Sequence, residues 1–273
     1  MKIKACFNQV TYCAVFVLLL PLLLLQAIWV RLTIIKLPEA TGERTSSTDS
    51  NAGSKTDSNT EKHANQAIKL LILGDSAAAG VGVNQQKQAL AGQLPPLLTT
   101  QQPINWQLVA SSGLTSSQVI NQVTLLPAQK FDLVLVSVGV NDVTHLTRQA
   151  QWAENINSLA MILSNKFNAD KILFSSVPPM HLFTALPQPL RWWLGLRATK
   201  LNTIMAAELA KLPPQASQKC SILTVDIPFS PEFLATDGMH PSMLAYKVWA
   251  EQAAKQFNLF VKASQYKKNS KAN

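Results

Sequence analysis

From residue 67 to about residue 257 the chain alternates short apolar runs with amphipathic stretches, and that order leaves few folds open. Apolar residues dominate 69–73, 104–110, 131–138, 171–175 and 221–226 at strand length, and the spacing predicts helices over 116–126, 148–165, 191–212 and 241–257. The run 131–138 is nearly all apolar, as a strand covered on both faces must be. Strands separated by helices pair in parallel through right-handed crossovers, which sets helices on both faces of one sheet. An α/β fold around a five-stranded parallel sheet is therefore expected. In such a sheet the carboxyl ends of the strands share one edge, and ligands bind along it.

The first strand runs into Gly74-Asp75-Ser76-Ala77-Ala78-Ala79-Gly80. Gly74 ends the strand, Asp75 and Ser76 turn the chain, and the alanines predict a helix with Ser76 at its amino end, in the field of the helix dipole. Three letters are a weak signal alone; position strengthens them. Gly113 follows the second strand, Asn141 the third, and Asp237 and His240 the fifth, so residues far apart in sequence are expected in one cleft. These residue types suit acyl transfer. Ser76 is a nucleophile once a base removes its proton, and His240 is the best candidate for that base. In Asp237-Gly238-Met239-His240-Pro241 the carboxylate precedes the imidazole by three residues, so Asp237 would hold the Nδ1 hydrogen and turn Nε2 toward Ser76. The backbone N–H groups of Ser76 and Gly113 and the side-chain amide of Asn141 would form an oxyanion hole. Asp75 and Asp142 are assigned to turn hydrogen bonds, and His145 and His181 to surface or loop positions. Trp192 and Trp193, with Leu182, Phe183, Leu186 and Leu190, fit either an acyl-chain wall over the cleft or simple helix packing.

Taken together, Gly74-Asp75-Ser76, the Gly113 loop, Gly139-Val140-Asn141-Asp142 and Asp237-Gly238-Met239-His240-Pro241 resemble the SGNH superfamily of GDSL-type hydrolases over roughly 67–257. The resemblance implies a flavodoxin-like, three-layer fold and esterase, lipase or thioesterase chemistry through an acyl-enzyme, with the residues in the roles given above. Ala77 stands where the family often has leucine, a departure that bears on substrate more than on catalysis. An acyltransferase would use the same residues, and a noncatalytic glycan- or lipid-binding relative would share the cleft. Both alternatives stay open at this point.

The flanks read differently. Residues 13–30 contain Gln26 as their one strongly polar member, and about 27 Å of helix nearly matches a bilayer core. The length of the run and the lack of a small-x-small site favour an uncleaved transmembrane anchor over 1–36 rather than a cleaved signal peptide. Flanking charges on the two sides balance, so an extracytoplasmic catalytic domain is only the commoner arrangement. Residues 37–66 are polar, with almost no large apolar residue after Leu37, which predicts a flexible tether to a hydrolase domain over 67–262. Residues 263–273 are expected to form a basic disordered tail. The net charge of +9 is scattered rather than gathered on one face, which excludes a nucleic-acid partner. Cys6, Cys13 and Cys220 form neither a disulfide framework nor a metal spacing, and Gly80-Val81-Gly82 lacks the dinucleotide fingerprint, so no cofactor or metal is expected.

Overall fold

Leu70, Leu71, Ile72 and Leu73 are fully buried, because the strand they form is covered by protein on both faces. The computed structural model describes residues 2–46, 67–100, 102–228 and 230–272, with the side chains of 2–17 and 263–272 outside the description. The strands are β1 (Ile68–Gly74), β2 (Ile104–Ala110), β3 (Leu133–Ser137), β4 (Lys171–Ser175) and β5 (Cys220–Leu223). They pair in parallel in the order β2-β1-β3-β4-β5, so β1 and β3 are flanked on both sides and their ends lie next to each other.

The helices are α1 (Lys2–Thr33), α2 (Leu90–Gln93), α3 (Ser116–Leu125), α4 (Val140–Thr144), α5 (Gln149–Asn165), α6 (Leu190–Lys211), α7 (Pro214–Ser217) and α8 (Met243–Ala272). Alternate side chains of β1 point to opposite faces. Leu71 and Leu73 join the core made with α3, α5 and α6, whereas Leu70 and Ile72 join a second core with α2 and the Tyr246, Trp249 and Phe257 face of α8. Each fully buried Leu or Ile contributes about 1.5–3 kcal/mol, so the two cores fix β1, and with it the position of the site.

Four expectations need correction. The alanines after Ser76 do not start a helix: residues 75–82 are turns, because Gly80 and Gly82 sit at φ +85° and +105°. A side chain at Gly82 would lie 2.3 Å from the Pro241 carbonyl oxygen, so this close approach demands glycine, and no helix dipole acts on Ser76. Residues 37–46 are not part of a tether. The Leu108 amide donates to Arg44 O at 2.7 Å, the Ser46 amide donates to Trp106 O at 2.9 Å, and Thr45 bridges Gln107 antiparallel, so this segment covers the open edge of β2. An edge strand needs partners for its backbone groups, and a polar segment can supply them without an apolar signal. Residues 47–66 lie outside the described residues. The expected tail is helical in its backbone as far as Ala272, because the Lys, Ala and Gln that made it look unstructured are good helix formers.

The fourth concerns α1. Among the described residues no helix is long and apolar enough to cross a membrane. The start of the expected span, 13–17, belongs to the side chains outside the description. In the part that is described, Leu23 is buried against the first core, Gln26 donates to Gln188 O at 2.7 Å, and the Leu190 amide donates to Gln26 Oε1 at 3.1 Å. The one polar residue of the apolar run is thus used to dock α1 on the start of α6.

Candidate active site

Three loops meet beyond the carboxyl ends of β2, β1 and β3. Register places Gly74 beside Ala110 on one side and Ser137 on the other, and the Asp75 amide donates to Ser137 O at 3.1 Å. Ser76 therefore leaves the sheet at its centre. A fourth segment, between β5 and α8, returns His240 to the same point from 164 residues away.

The Ser76 hydroxyl lies 2.8 Å from His240 Nε2, and His240 Nδ1 donates to Asp237 Oδ2 at 2.5 Å. Gly238, at φ +67°, lets the Asp237 to His240 turn close, and Asp237 Oδ1 accepts the amides of Met239 and His240, each at 3.0 Å. The Asp237 side chain is 1% exposed and that of His240 25%. Burial would raise the Asp237 pKa, but the His240 ring hydrogen bond, the two amides and the imidazole charge together bring it below the ordinary carboxylate value. Asp237 stays ionised, which holds Nδ1 as the protonated nitrogen and leaves Nε2 as the acceptor facing the hydroxyl.

The loops that carry Gly113 and Asn141 are held by their neighbours. Gly139, at φ +125°, opens α4, and the Asn141 side-chain amide donates to Leu114 O at 3.0 Å. Asp142 is buried and accepts the Ser116 amide at 2.9 Å and its hydroxyl at 2.7 Å, which ties α4 to the start of α3. The carboxylate thus makes a long-range tie across 26 residues rather than the turn hydrogen bonds expected of it. No acceptor within the described residues takes the Ser76 or Gly113 amide.

Asp75 is 2% exposed, and burial pushes its pKa up to about 7, partly offset by the Ala77 amide, which donates to Oδ1 at 3.1 Å, and by the charge of His240. Sequence reasoning missed Tyr246. Its buried hydroxyl lies 2.8 Å from Ala77 O and 2.7 Å from Val81 O, and so pins both ends of the turn that follows Ser76. The signal was available: Tyr246, Ala250, Ala253 and Phe257 form one buried helical stripe, and a tyrosine in such a stripe must place its hydroxyl.

A cavity opens beside Ser76 and His240, lined mainly by apolar side chains that include Val138, Phe183, Ile227, Phe233 and Trp249. Of the residues considered for an acyl-chain wall, Phe183 alone lines it. Leu186 and Leu190 are core, Trp193 packs against that core under Arg197, and Trp192 and Leu182 face outward. His145 and His181 are exposed, as expected.

The fold is shared by two solved structures of low identity. One is a member of the lipolytic protein G-D-S-L family from Veillonella parvula, at TM-score 0.53 and 12% identity, covering 69% of this chain and 97% of that one. The other is the psychrotrophic esterase EstA from a Pseudoalteromonas species, at TM-score 0.55 and 20% identity, covering 71% and 98%. A GDSL-like esterase of Mycobacterium tuberculosis is 26% identical over 194 residues, 67% of this chain and 60% of its own length. The chain thus spans less than two thirds of that relative. Residues 72–248, which carry every loop described above except the Ala40 to Ser46 edge segment, match the model of the GDSL-like lipase/acylhydrolase family, and the chain belongs to that family.

Proposed function

We propose that the protein is a serine hydrolase that cleaves carboxylic esters or thioesters with apolar acyl groups through an acyl-enzyme. The observation that carries this reading is the relay from Asp237 Oδ2 through His240 to the Ser76 hydroxyl, at 2.5 and 2.8 Å. Ser76 Oγ attacks the acyl carbon while His240 Nε2 takes its proton. The carbonyl oxygen becomes an alkoxide, for which the Ser76 and Gly113 amides and Asn141 Nδ2 are the donors. Collapse breaks the bond to the alcohol or thiol, which leaves with the proton from Nε2. Water then adds to the acyl-enzyme with His240 again as base, and the acid and free Ser76 are released.

The apolar lining of the cavity supports an acyl group without charge. A series of p-nitrophenyl esters of graded chain length tests this. kcat/KM should rise from acetate to a medium chain and be lost in Ser76→Ala; a preference for charged or acetyl-only substrates would refute the acyl assignment. Attachment to a membrane surface through the outward-facing Leu18, Leu25, Trp29 and Leu32 of α1, lying on the bilayer rather than crossing it and with the catalytic domain on the extracytoplasmic side, is proposed from their exposure. Full-length protein should sediment with membranes and be accessible to protease from outside sealed cells. Recovery in the soluble fraction would refute it.

A further inference from the structure

The segment that covers the edge of β2 also reaches the site. Glu39 Oε1 accepts the Ser112 amide at 2.6 Å, one residue before Gly113. Its other oxygen lies 3.3 Å from Arg44 Nη2, and that same nitrogen donates to Ala110 O at 2.9 Å, at the end of β2. The Glu39–Arg44 pair thus brackets the turn 110–113 from outside, one partner on a carbonyl and the other on an amide. Next to it, the Gln86 side-chain amide donates to Ala40 O at 3.1 Å and to Ala79 O at 2.9 Å, which ties the same segment to the turn after Ser76. The two loops so held are the two that carry the free amides of Ser76 and Gly113.

Packing does not hold Gly113. The residue is exposed at φ +83°, and an added Cβ would meet nothing within 4 Å. Its amide is aimed only by what its neighbours bond. Ser111 donates to Gly74 O at 3.3 Å, Leu114 O accepts from Asn141, and Ser112 donates to Glu39. The Glu39 bond is much the shortest of these, and the carboxylate makes it charge-assisted.

We infer that Glu39 is a positioning residue for the oxyanion hole, holding the Gly113 amide in place from a segment that lies before the family's matched region. This rests on the proposed role of Gly113 as an oxyanion donor. Electrostatics alone does not explain a carboxylate here, since a negative charge near a developing alkoxide opposes it, and Arg44 offsets that charge. Nor does stability, because the side chains of the pair are 31% and 40% exposed and such pairs contribute little.

The test uses full-length protein with a p-nitrophenyl ester. Removing an oxyanion donor outright costs ~10²–10³ in kcat, and loosening one should cost less. Glu39→Ala should lower kcat about tenfold with KM within twofold and the melting temperature nearly unchanged. Glu39→Gln keeps an acceptor for the Ser112 amide and should stay within about threefold of wild type. Should Glu39→Ala fail to fold, Glu39→Asp decides, because one methylene less withdraws the carboxylate from Ser112 and kcat should fall alone. Wild-type kcat in Glu39→Ala or Glu39→Asp, or a Gln variant as impaired as the Ala variant, would overturn the inference while Ser76-dependent hydrolysis by wild type stands. Absence of that hydrolysis in wild type would instead overturn the proposed function.

Discussion

Asp75 is a buried acid that the fold keeps beside the nucleophile, and its cost should be measurable as a pH-dependent stability. Burial moves its pKa from 3.8 to about 7. An acid whose folded pKa is raised binds its proton more tightly in the native state, so its contribution to stability is fully present below about pH 4 and is lost as pH rises through about 7. At about 1.4 kcal/mol per tenfold change, the full penalty above pH 7 is about 4 kcal/mol, of which about 3 kcal/mol develops between pH 5 and pH 8. Asp75→Asn removes the ionisation and keeps an oxygen for the Ala77 amide. Urea unfolding followed by the fluorescence of the buried Trp152 and Trp249 should give a stability difference, variant minus wild type, that grows by about 3 kcal/mol from pH 5 to pH 8 and then levels. Asp237 titrates in both proteins and cancels in the difference. A difference independent of pH would refute the reasoning.

Tyr246→Phe removes the hydroxyl that pins Ala77 O and Val81 O, and should cost about 1–3 kcal/mol in urea unfolding together with a lower kcat on a p-nitrophenyl ester. An unchanged kcat would mean that the turn after Ser76 keeps its shape without the pin. His240→Ala should be nearly inactive and Asp237→Asn less so, although loss of tautomer control costs ~10⁴ in a protease triad. Because the two residues act as one relay, the double variant should be no worse than His240→Ala; a loss equal to the product of the single losses would show that they act independently.

How much of this the sequence revealed depends on where the determinant lies. The strands 104–110 and 171–175 are found at their expected bounds and the sheet is parallel, since hydrophobic period and connection length are local properties, whereas the order β2-β1-β3-β4-β5 is set by tertiary packing that they do not encode. The meeting of Ser76, Asp237 and His240 was legible for the same reason: strand ends share an edge. The helix expected after Ser76 failed because the alanines' propensity yields to close contacts that no local pattern encodes, with Gly80 against Ala40 and Ala89 and Gly82 against Pro241. The edge segment failed through composition. Glu39, Arg44 and Ser46 read as solvated, and only the unpaired backbone of β2 and the 110–113 turn give them partners. Likewise Gln26, the polar residue in the apolar run 13–30, reads as a tolerated interruption until α6 supplies the groups it bonds.

The central claim is that Ser76 is the nucleophile activated through His240, and covalent labelling reads it directly. Full-length protein treated with a fluorophosphonate, digested and mapped by mass spectrometry should carry one adduct, on Ser76. The adduct should be absent from Ser76→Ala and form far more slowly in His240→Ala. A wild-type protein left unlabelled, or labelled at Ser76 equally fast without His240, would contradict the account.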